Sequence, residues 1–350
     1  MPRRNKTWAD LHIHSKSSDD GELSVEQIVR LAAQNRRAPV KLLAITDHEE
    51  IDVEGLEAGM RAAEKHHIQL MTGLEVSTDD KFYDFDKVHI LGYFPRCKPE
   101  DLKSGTMNDT IEAMKEDKKV RNDKYLRIFR SYNLLTEQEV LDTDFGRSKA
   151  TLVEQLYDIW RKKKFIEFEC EGRNERHYIR DIEQVWNLVE DKRFRQQREK
   201  VSTQTMIYQI CKLMGGEAAF AHPLLTIFRN SRESVLEQAL QECRSCSKLE
   251  FKALNNLILM IEKYREAEHN IGLEIEYPYT KTRIYRSLIK KKPVVRKVLR
   301  DLKRCLKDYC IQQNICMTGG SDYHGKMKPN ISIGEKKIPY DDAARMFRLT

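Results

Sequence analysis

The chain has 350 residues, of which 40% are hydrophobic and 33% are charged. That length suffices for one large barrel or two modest domains, and the charge content argues against insertion into a membrane. No apolar run approaches the roughly 18 residues of a transmembrane helix, and no apolar segment follows the basic start, so we expect a cytoplasmic protein without a signal peptide.

Eight cysteines are scattered along the chain, and Cys243 and Cys246 form its CxxC pair. A zinc ribbon would need a second pair of this kind. We therefore predict reduced thiols, as is usual for a cytosolic protein.

Short apolar runs predict seven strands, at residues 8–14, 41–47, 69–76, 87–94, 217–221, 271–276 and 315–319. Between several of them lie helical patterns, at residues 24–33, 51–66, 231–243, 251–266, 282–290 and 293–309. Ser24 and Gln27 have the spacing of a capping box, and Pro293 suits a first helical position. Alternating strands and helices predict a parallel α/β architecture.

The interval 96–213 interrupts this alternation. It is long, highly charged and mostly helical in pattern, with its clearest helices at 108–132, 149–164 and 201–213. No run in it resembles a barrel strand. We therefore predict a barrel domain formed by residues 1–95 and 214–350, which carries residues 96–213 as a helical insertion domain.

The net charge of +7 is unevenly distributed, because residues 281–310 contain 12 Lys and Arg but only 2 Asp and Glu. A basic stretch of this kind can attract phosphates or nucleic acid. Its apolar residues recur at helical spacing, at Val295, Leu299, Leu302 and Leu306. This pattern favours a helix that covers the barrel and leaves its cationic residues in solvent.

Nine candidate metal ligands lie at or near the ends of the apolar runs: His12, His14, Asp19, His48, Glu75, His89, His222, Asp322 and His324. Residues two apart on a strand face the same side, so His12 and His14 can bind one ion. A single histidine at a strand end is usually a hydrogen-bonded core residue. Ionisable groups at six strand ends need another explanation, because buried charges without partners are costly. Imidazoles and carboxylates without cysteine suit Zn, Mn or Fe.

These motifs resemble those of the polymerase and histidinol phosphatase (PHP) family. The matching segments are Asp10–Ser15, Ser18–Gly21, Thr46–His48, Gly73–Glu75, Ala221–Pro223 and Gly320–Gly325. The resemblance extends over roughly residues 8–95 and 215–335. It implies a distorted, TIM-like (β/α)7 barrel with seven strands, which agrees with the number of apolar runs.

Within the family, the chain looks most like the 3′,5′-nucleoside bisphosphate phosphatases. Ser18–Ser24, His89–Tyr93 and the long insertion are similar to that branch, as is Gly146–Ala150 before a predicted helix. The resemblance implies a phosphoesterase that removes the 3′-phosphate of such nucleotides through a metal-activated hydroxide. Arg147, Arg121 and Lys149 are candidates for binding the second phosphate, because cationic side chains suit phosphate.

The resemblance also implies two or three divalent ions, with Mn, Zn, Fe and Mg all possible. His12, His14, Glu75 and Asp322 would hold the first, and Glu75, His89 and His222 the second. Asp19, His48 and His324 would hold the third. Glu75, Asp19, His222 and His324 are accordingly the expected catalytic residues. Asp47 is expected to orient a ligand rather than to bind metal.

Three alternatives stay open at this stage. A histidinol-phosphate or other small phosphatase would share the metal ligands. A 5′-to-3′ exonuclease on short RNA or DNA would use the basic stretch at 281–310, and its activity would fall steeply with salt. A metal-binding accessory module of a polymerase would be no enzyme, but the complete ligand set argues against it. The sequence leaves the oligomeric state open, and it predicts no membrane partner.

Overall fold

The computed structural model describes residues 6–18, 20–35, 39–83, 85–143, 149–163, 165–170, 172–189, 191, 194, 201–230, 252–267, 271–282, 285–286, 289–290 and 293–349. The described strands are β1 (Trp8–Ile13), β2 (Val40–Ile45), β3 (Gln69–Asp80), β4 (Phe85–Phe94), β5 (Ile166–Cys170), β6 (Arg173–His177), β7 (Glu217–Phe220), β8 (Gly272–Glu276), β9 (Met317–Gly319) and β10 (Ile338–Pro339). The described α-helices are α1 (Val25–Ala33), α2 (Val53–Lys65), α3 (Gly105–Ser131), α4 (Glu137–Leu141), α5 (Lys149–Trp160), α6 (Ile182–Val189), α7 (Thr203–Tyr208), α8 (Pro223–Asn230), α9 (Lys252–Ala267), α10 (Val295–Gln312) and α11 (Tyr340–Phe347).

All seven predicted strands are present, and they form one sheet together with the short β10. The order of the strands is β10-β1-β2-β3-β4-β7-β8-β9. The far edges approach each other where Ile13 and Tyr323 form a parallel bridge, and the His14 amide donates to the Tyr323 carbonyl at 3.0 Å. The sheet therefore curls into a nearly closed barrel, as the sequence predicted.

One strand differs from the parallel arrangement predicted by the alternation. β4 is antiparallel to both β3 and β7, while β1-β2-β3 and β7-β8-β9 are parallel. The reason is the connection: only a short turn separates β3 from β4, and parallel neighbours need a long crossover. β4 consequently enters the barrel from the end at which the parallel strands finish.

The N-terminal helix begins as its sequence predicted. The Ser24 side chain accepts from the Gln27 amide, and the Gln27 side chain accepts from the Ser24 amide, which completes the capping box. The last long helix starts at Val295, two residues after Pro293, so the prediction that Pro293 is its first residue was wrong. Pro293 lies instead in the turn that leads into α10.

The basic stretch lies largely on α10, whose buried face includes all four of the predicted apolar positions. Two of its cations form ion pairs, Lys303 with Glu276 and Arg304 with Asp301. This arrangement supports the interpretation of a helix that covers the barrel.

The preceding predicted helix at 282–290 lies only partly within the described residues, and the one at 231–243, with Cys243 and Cys246, lies outside them. Five of the cysteines carry free thiols: Cys97, Cys211, Cys305, Cys310 and Cys316.

An apolar cluster beneath the ends of the strands fills the barrel. It draws residues from six strands and from α11: Ala9, Leu11, Leu42, Ala44, Met71, Leu91, Tyr93, Ala219, Ala221, Ile338, Ala343 and Phe347. Phe347 contacts Tyr93 with a ring separation of 5.1 Å. Met71 and Glu75 lie four residues apart on β3, so they share its inner face. The cluster is therefore the floor of the pocket into which Glu75 projects.

The chain divides into two compact units, one of residues 1–17, 21–108 and 200–350 and the other of residues 18–20 and 109–199. The barrel belongs to the first. The second has its own core, which includes Phe129, Trp160, Phe168 and Phe194, and it contains the β5-β6 hairpin, which the sequence did not reveal. The assignment of residues 96–213 to an insertion domain stays a prediction.

Among the described helices, none combines the length and the apolar character needed to cross a membrane.

Candidate metal centre

Eight of the nine predicted ligands are described, and strand ends bring them together at one mouth of the barrel. His12 lies on β1 and His14 directly follows it, while β2 leads to His48. Glu75 lies inside β3, which continues to Asp80, so the predicted end of this strand at residue 76 was wrong. The remaining candidates are His89 on β4 and three residues that follow β7 and β9: His222, Asp322 and His324. Seven of the eight are buried, and His48 is partly exposed. Asp19 lies outside the described residues.

Glu75 is the centre of this cluster. Its Oε2 atom lies 3.1 Å from His12 Nε2, 3.3 Å from His14 Nε2 and 3.3 Å from His48 Nδ1. Its Oε1 atom lies 2.5 Å from His89 Nδ1 and 3.0 Å from His222 Nε2. Five imidazoles thus converge on one buried carboxylate.

Asp322 is the second carboxylate of the cluster, and its two oxygens face different groups. Oδ1 lies 3.3 Å from His14 Nε2, 3.5 Å from His12 Nε2 and 3.3 Å from His324 Nδ1. Oδ2 accepts from the Tyr277 hydroxyl and from Lys328 Nζ, both at 2.5 Å. One oxygen therefore faces the imidazoles, and the other is held by two donors.

The ligand atoms cluster closely enough to hold metal ions. In one group, His12, His14 and Asp322 offer atoms that all lie within 4.8 Å of one another, and in a second His12, Glu75 and His222 do so. The ring nitrogens of His14, His48 and His324 approach one another in the same way. His89 contacts Glu75 but belongs to none of these groups, so its role as a ligand stays a prediction.

The electrostatics of the cluster favour added positive charge. Burial opposes ionisation of Glu75, yet the imidazoles of His48, His89 and His12 hold the pKa of its carboxyl well below the usual value. Burial disfavours the charged form of His14, but hydrogen bonds to Asp322 and Glu75 raise its pKa to about 9. Protons or divalent cations can supply this positive charge.

The donor chemistry fits divalent cations. Imidazole nitrogens and carboxylate oxygens are ordinary ligands of Zn, Mn and Fe, and the cluster contains no thiolate. His89 supports the fit, since its Nε2 atom is buried and has no hydrogen-bond partner in the described part of the chain. Buried polar atoms are normally satisfied, so an unmet nitrogen indicates a group that binds there.

Further buried residues hold the ligands in place. Glu274 contacts His12 Nδ1 at 3.0 Å through one oxygen and accepts from the His222 amide at 2.8 Å through the other. A carboxylate on the second ring nitrogen fixes the tautomer and orientation of a metal-binding histidine. Asp47 accepts from the Ser15 amide at 2.5 Å and from its hydroxyl at 2.6 Å. These bonds hold the turn after His14, and the role of Asp47 in orienting a ligand stays a prediction.

The backbone is strained at two of the ligands. His222 and Asp322 have positive φ angles of 29° and 55°, and residues other than glycine rarely adopt such angles. Such strain persists only where the surroundings enforce it, and it clusters at functional sites. Here it turns both side chains from their strand ends toward Glu75 and the β1 histidines.

Sequence reasoning missed two residues, Tyr277 and Lys328. Tyr277 directly follows β8, so its place after a strand end was a usable signal. Lys328 lies in a turn beyond His324 with no periodic pattern to mark it. The predicted phosphate-binding residues cannot be located in the same way: Arg147 lies outside the described residues, as do the side chains of Arg121 and Lys149.

Comparison with known proteins adds a family match. A family model described as PHP domain matches residues 10–325. A curated Eggerthella lenta protein, phosphoribosyl 1,2-cyclic phosphate 1,2-diphosphodiesterase, is 42% identical over 86 residues. That segment is 24% of this chain and 29% of the relative, so it spans less than a third of the relative's length.

Two solved structures share the fold. A presumed metal-dependent phosphoesterase from Bifidobacterium adolescentis has 17% identity and a TM-score of 0.58, with 99% of this chain and 96% of that chain covered. An amidohydrolase from Chromobacterium violaceum, with bound sulfate and no metal, has 18% identity and a TM-score of 0.57, with 96% of each chain covered. At these identities the likeness concerns the fold.

Proposed function

The chain belongs to the PHP-domain family, and on that premise we propose that it is a metal-dependent phosphoesterase acting on phosphomonoesters. The leading substrate is the 3′-phosphate of a 3′,5′-nucleoside bisphosphate. The observation that carries the proposal is the convergence of five imidazoles on Glu75, within 3.3 Å. This carboxylate can accept roughly four hydrogen bonds at most, so divalent ions between these groups account for the arrangement better.

Two or three ions would be held by the histidines and carboxylates around Glu75 and Asp322. When bound, such ions lower the pKa of a bound water and neutralise charge on the phosphoryl oxygens. Other residues of the chain would position these ligands and exclude water from the site. Glu274 fixes the His12 ring, Asp47 holds the turn at Ser15, and the apolar floor around Met71 excludes water from below.

A third ion needs a carboxylate beside the histidines His48 and His324. Asp19 remains the proposed source, and the adjacent Asp20 is a second carboxylate of the same segment. Metal content measured on Asp19→Asn and Asp20→Asn separates them. The variant of the true ligand should lose about one ion per chain, while its neighbour keeps the wild-type number. Equal, full occupancy in both variants would remove this loop from the metal centre.

Substrate choice is tested with a panel at fixed Mn²⁺. Adenosine 3′,5′-bisphosphate, adenosine monophosphate and histidinol phosphate are compared by kcat/KM for phosphate release. The proposal expects the bisphosphate to be preferred by roughly 10-fold or more, because a second phosphate adds charge-assisted contacts. Preference for histidinol phosphate would replace the nucleotide substrate with a small amino-alcohol phosphate.

The second phosphate is proposed to bind Arg147, with Arg121 and Lys149 as further candidates. Arg147→Ala should reduce discrimination between the bisphosphate and the monophosphate, whereas Arg147→Lys should keep part of it. The control is Arg345→Ala, an exposed arginine on α11 that pairs with Asp342. Unchanged discrimination in Arg147→Ala would remove it from the substrate site.

A cyclic phosphate diester is the second candidate substrate, because the Eggerthella lenta relative is named for such a reaction. Phosphorus NMR distinguishes opening of a cyclic sugar phosphate from release of inorganic phosphate. Ring opening at a higher rate than monoester hydrolysis would make the diester the principal substrate.

A nucleic-acid substrate is less well supported, because two cations of α10 are engaged in ion pairs. Its signature would be a steep loss of affinity with salt, roughly 0.7 in the log–log slope for each single-strand phosphate contacted.

A further inference from the structure

Lys328 stands out among the cations of the barrel by its partner. Most described lysines and arginines in ion pairs contact surface carboxylates, such as Lys326 with Glu22 and Lys281 with Glu335. Lys328 Nζ instead lies 2.5 Å from Oδ2 of Asp322, a candidate metal ligand. Its ammonium group is therefore placed directly beside the metal centre.

The exposure of Lys328 differs from that of its neighbours. Its side chain is 30% exposed, while that of Asp322 is 4% exposed. The Tyr277 hydroxyl donates to the same Oδ2 atom from a buried position. Asp322 Oδ2 thus has one buried neutral donor and one cationic donor that reaches solvent.

Charge balance suggests what the cation does. Oδ1 of Asp322 faces His12, His14 and His324, where a divalent ion would neutralise the carboxylate. An ammonium group has three donors, and Asp322 uses one of them. The side chain reaches solvent beside the metal centre, so its remaining donors can meet a ligand there, which on the proposed function is a dianionic phosphate ester.

We propose that Lys328 binds the phosphoryl group of the substrate next to the metal centre. It would donate to a non-bridging phosphate oxygen while keeping its contact with Asp322, and so it would select phosphate esters over uncharged esters. This role rests on the proposed function for its substrate class. The binding of inorganic phosphate itself does not require turnover.

The test is calorimetric titration of the Mn²⁺-loaded protein with inorganic phosphate. Lys328→Met should weaken phosphate binding by roughly 10- to 100-fold, the loss expected for one charge-assisted hydrogen bond. Lys328→Arg should restore part of the affinity. Lys326→Met is the matched control, because Lys326 is exposed and pairs with Glu22, and it should bind phosphate like the wild type.

Tyr277→Phe separates binding from positioning. It removes the other donor to the same oxygen of Asp322, so a purely positioning role for Lys328 predicts the same phosphate affinity in both variants. The proposal predicts that Tyr277→Phe, loaded with Mn²⁺ to the wild-type content, keeps phosphate affinity within about twofold of wild type. Metal content of each variant, measured by mass spectrometry, accompanies the titration.

Each outcome decides the matter. Wild-type phosphate affinity in metal-loaded Lys328→Met, or no phosphate binding by the wild type, would overturn the proposal. Equal losses in Lys328→Met and Tyr277→Phe would reduce Lys328 to a residue that positions Asp322. Lys328-dependent phosphate binding without hydrolysis of any phosphate ester would leave the binding role standing and refute the proposed function.

Discussion

Glu75 receives more imidazole contacts than hydrogen bonding alone can explain. Two carboxylate oxygens face five rings, and each neutral ring can donate through only one nitrogen. Metal ions would account for the excess, because each can bind an oxygen and several nitrogens at once. The Glu75 side chain is therefore better explained as a metal ligand than as a partner in a buried ion pair.

Glu75→Gln tests this purpose. The amide keeps the size of the side chain but loses its charge, so we expect loss of bound metal and a fall in kcat/KM of at least about 100-fold, more than outer ligand partners usually cause. Metal analysis and phosphate-release kinetics measure both effects.

The control for Glu75→Gln is Glu57→Gln, an exposed residue that pairs with Lys103. It should behave like the wild type. Full metal content and activity in Glu75→Gln would contradict the central role assigned to the carboxylate.

Gly320 shows how closely the backbone packs around a ligand. A Cβ atom at this position would lie 2.3 Å from His12 Cβ and 2.4 Å from the His12 amide nitrogen. No side-chain rotation can relieve a clash with backbone. Only a glycine lets β9 deliver Asp322 alongside β1.

Gly320→Ala should consequently displace His12. We expect weaker metal binding and a loss of roughly 1–3 kcal/mol in the free energy of unfolding, as for other overpacked positions. Metal titration and denaturant unfolding measure the two effects. Gly92→Ala is the comparison, because its Cβ would meet only the Ile210 side chain, at 3.2 Å. Equal effects of the two substitutions would argue against a special contact at Gly320.

At the scale of elements, the reversed direction of β4 explains the place of His89. Most of the other candidate ligands lie at or after the ends of strands, whereas Glu75 and His89 lie inside the adjacent strands β3 and β4, with His89 opposite Ser77. Because β4 enters from the mouth of the barrel, its first half passes the level at which the parallel strands finish. An internal residue of β4 thereby reaches Glu75.

The C-terminal helix α11 contributes to the floor rather than to the chemistry. Phe347 is 3% exposed and packs on Tyr93. Phe347→Ala should therefore lower the free energy of unfolding by roughly 3–5 kcal/mol, the cost of deleting a buried aromatic ring. The kcat of the folded fraction should stay close to that of the wild type. Denaturant unfolding and steady-state kinetics give the two values.

Phe82→Ala is the matched control for Phe347→Ala, since Phe82 is 78% exposed. It should change stability by less than about 1 kcal/mol. A kcat loss in Phe347→Ala comparable to that of Glu75→Gln would show that the floor and the metal centre are coupled.

At the scale of the whole molecule, the metal centre links strands that are far apart in sequence. His12 and Asp322 are more than three hundred residues apart, and their contact lies where the two edges of the sheet meet. Ions bound there would link these segments and so stabilise the folded barrel.

Removal of metal should accordingly lower the melting temperature. A ligand present at 100 times its dissociation constant stabilises the folded state by about 2.7 kcal/mol. Chelation with EDTA should lower Tm by several degrees, and added Mn²⁺ should restore it. Glu75→Gln should show a much smaller metal-dependent shift. A wild-type Tm that is insensitive to chelation would contradict metal binding at this centre.

The sequence by itself determined the place of seven of the eight strands of the barrel sheet and singled out the candidate ligands near their ends, but it did not reveal β10. Strand periodicity depends on neighbouring residues, so the strands predicted at 8–14 and 69–76 were recognisable locally, although β3 continues to Asp80. The ligand set was recognisable because ionisable groups rarely end so many apolar runs without a function. The capping box at Ser24 was equally local.

The tertiary structure alone decided the direction of β4, the β5-β6 hairpin and the partners of the ligands. Lys328 and Tyr277 meet on one oxygen of Asp322 only because β8 and the turn after His324 approach each other in space. Contacts of this kind depend on chain packing over long sequence separations, and no local pattern of residues encodes them. The candidate metal ligands can thus be recognised along the chain, whereas the side chains that contact and orient them become visible only in the folded barrel.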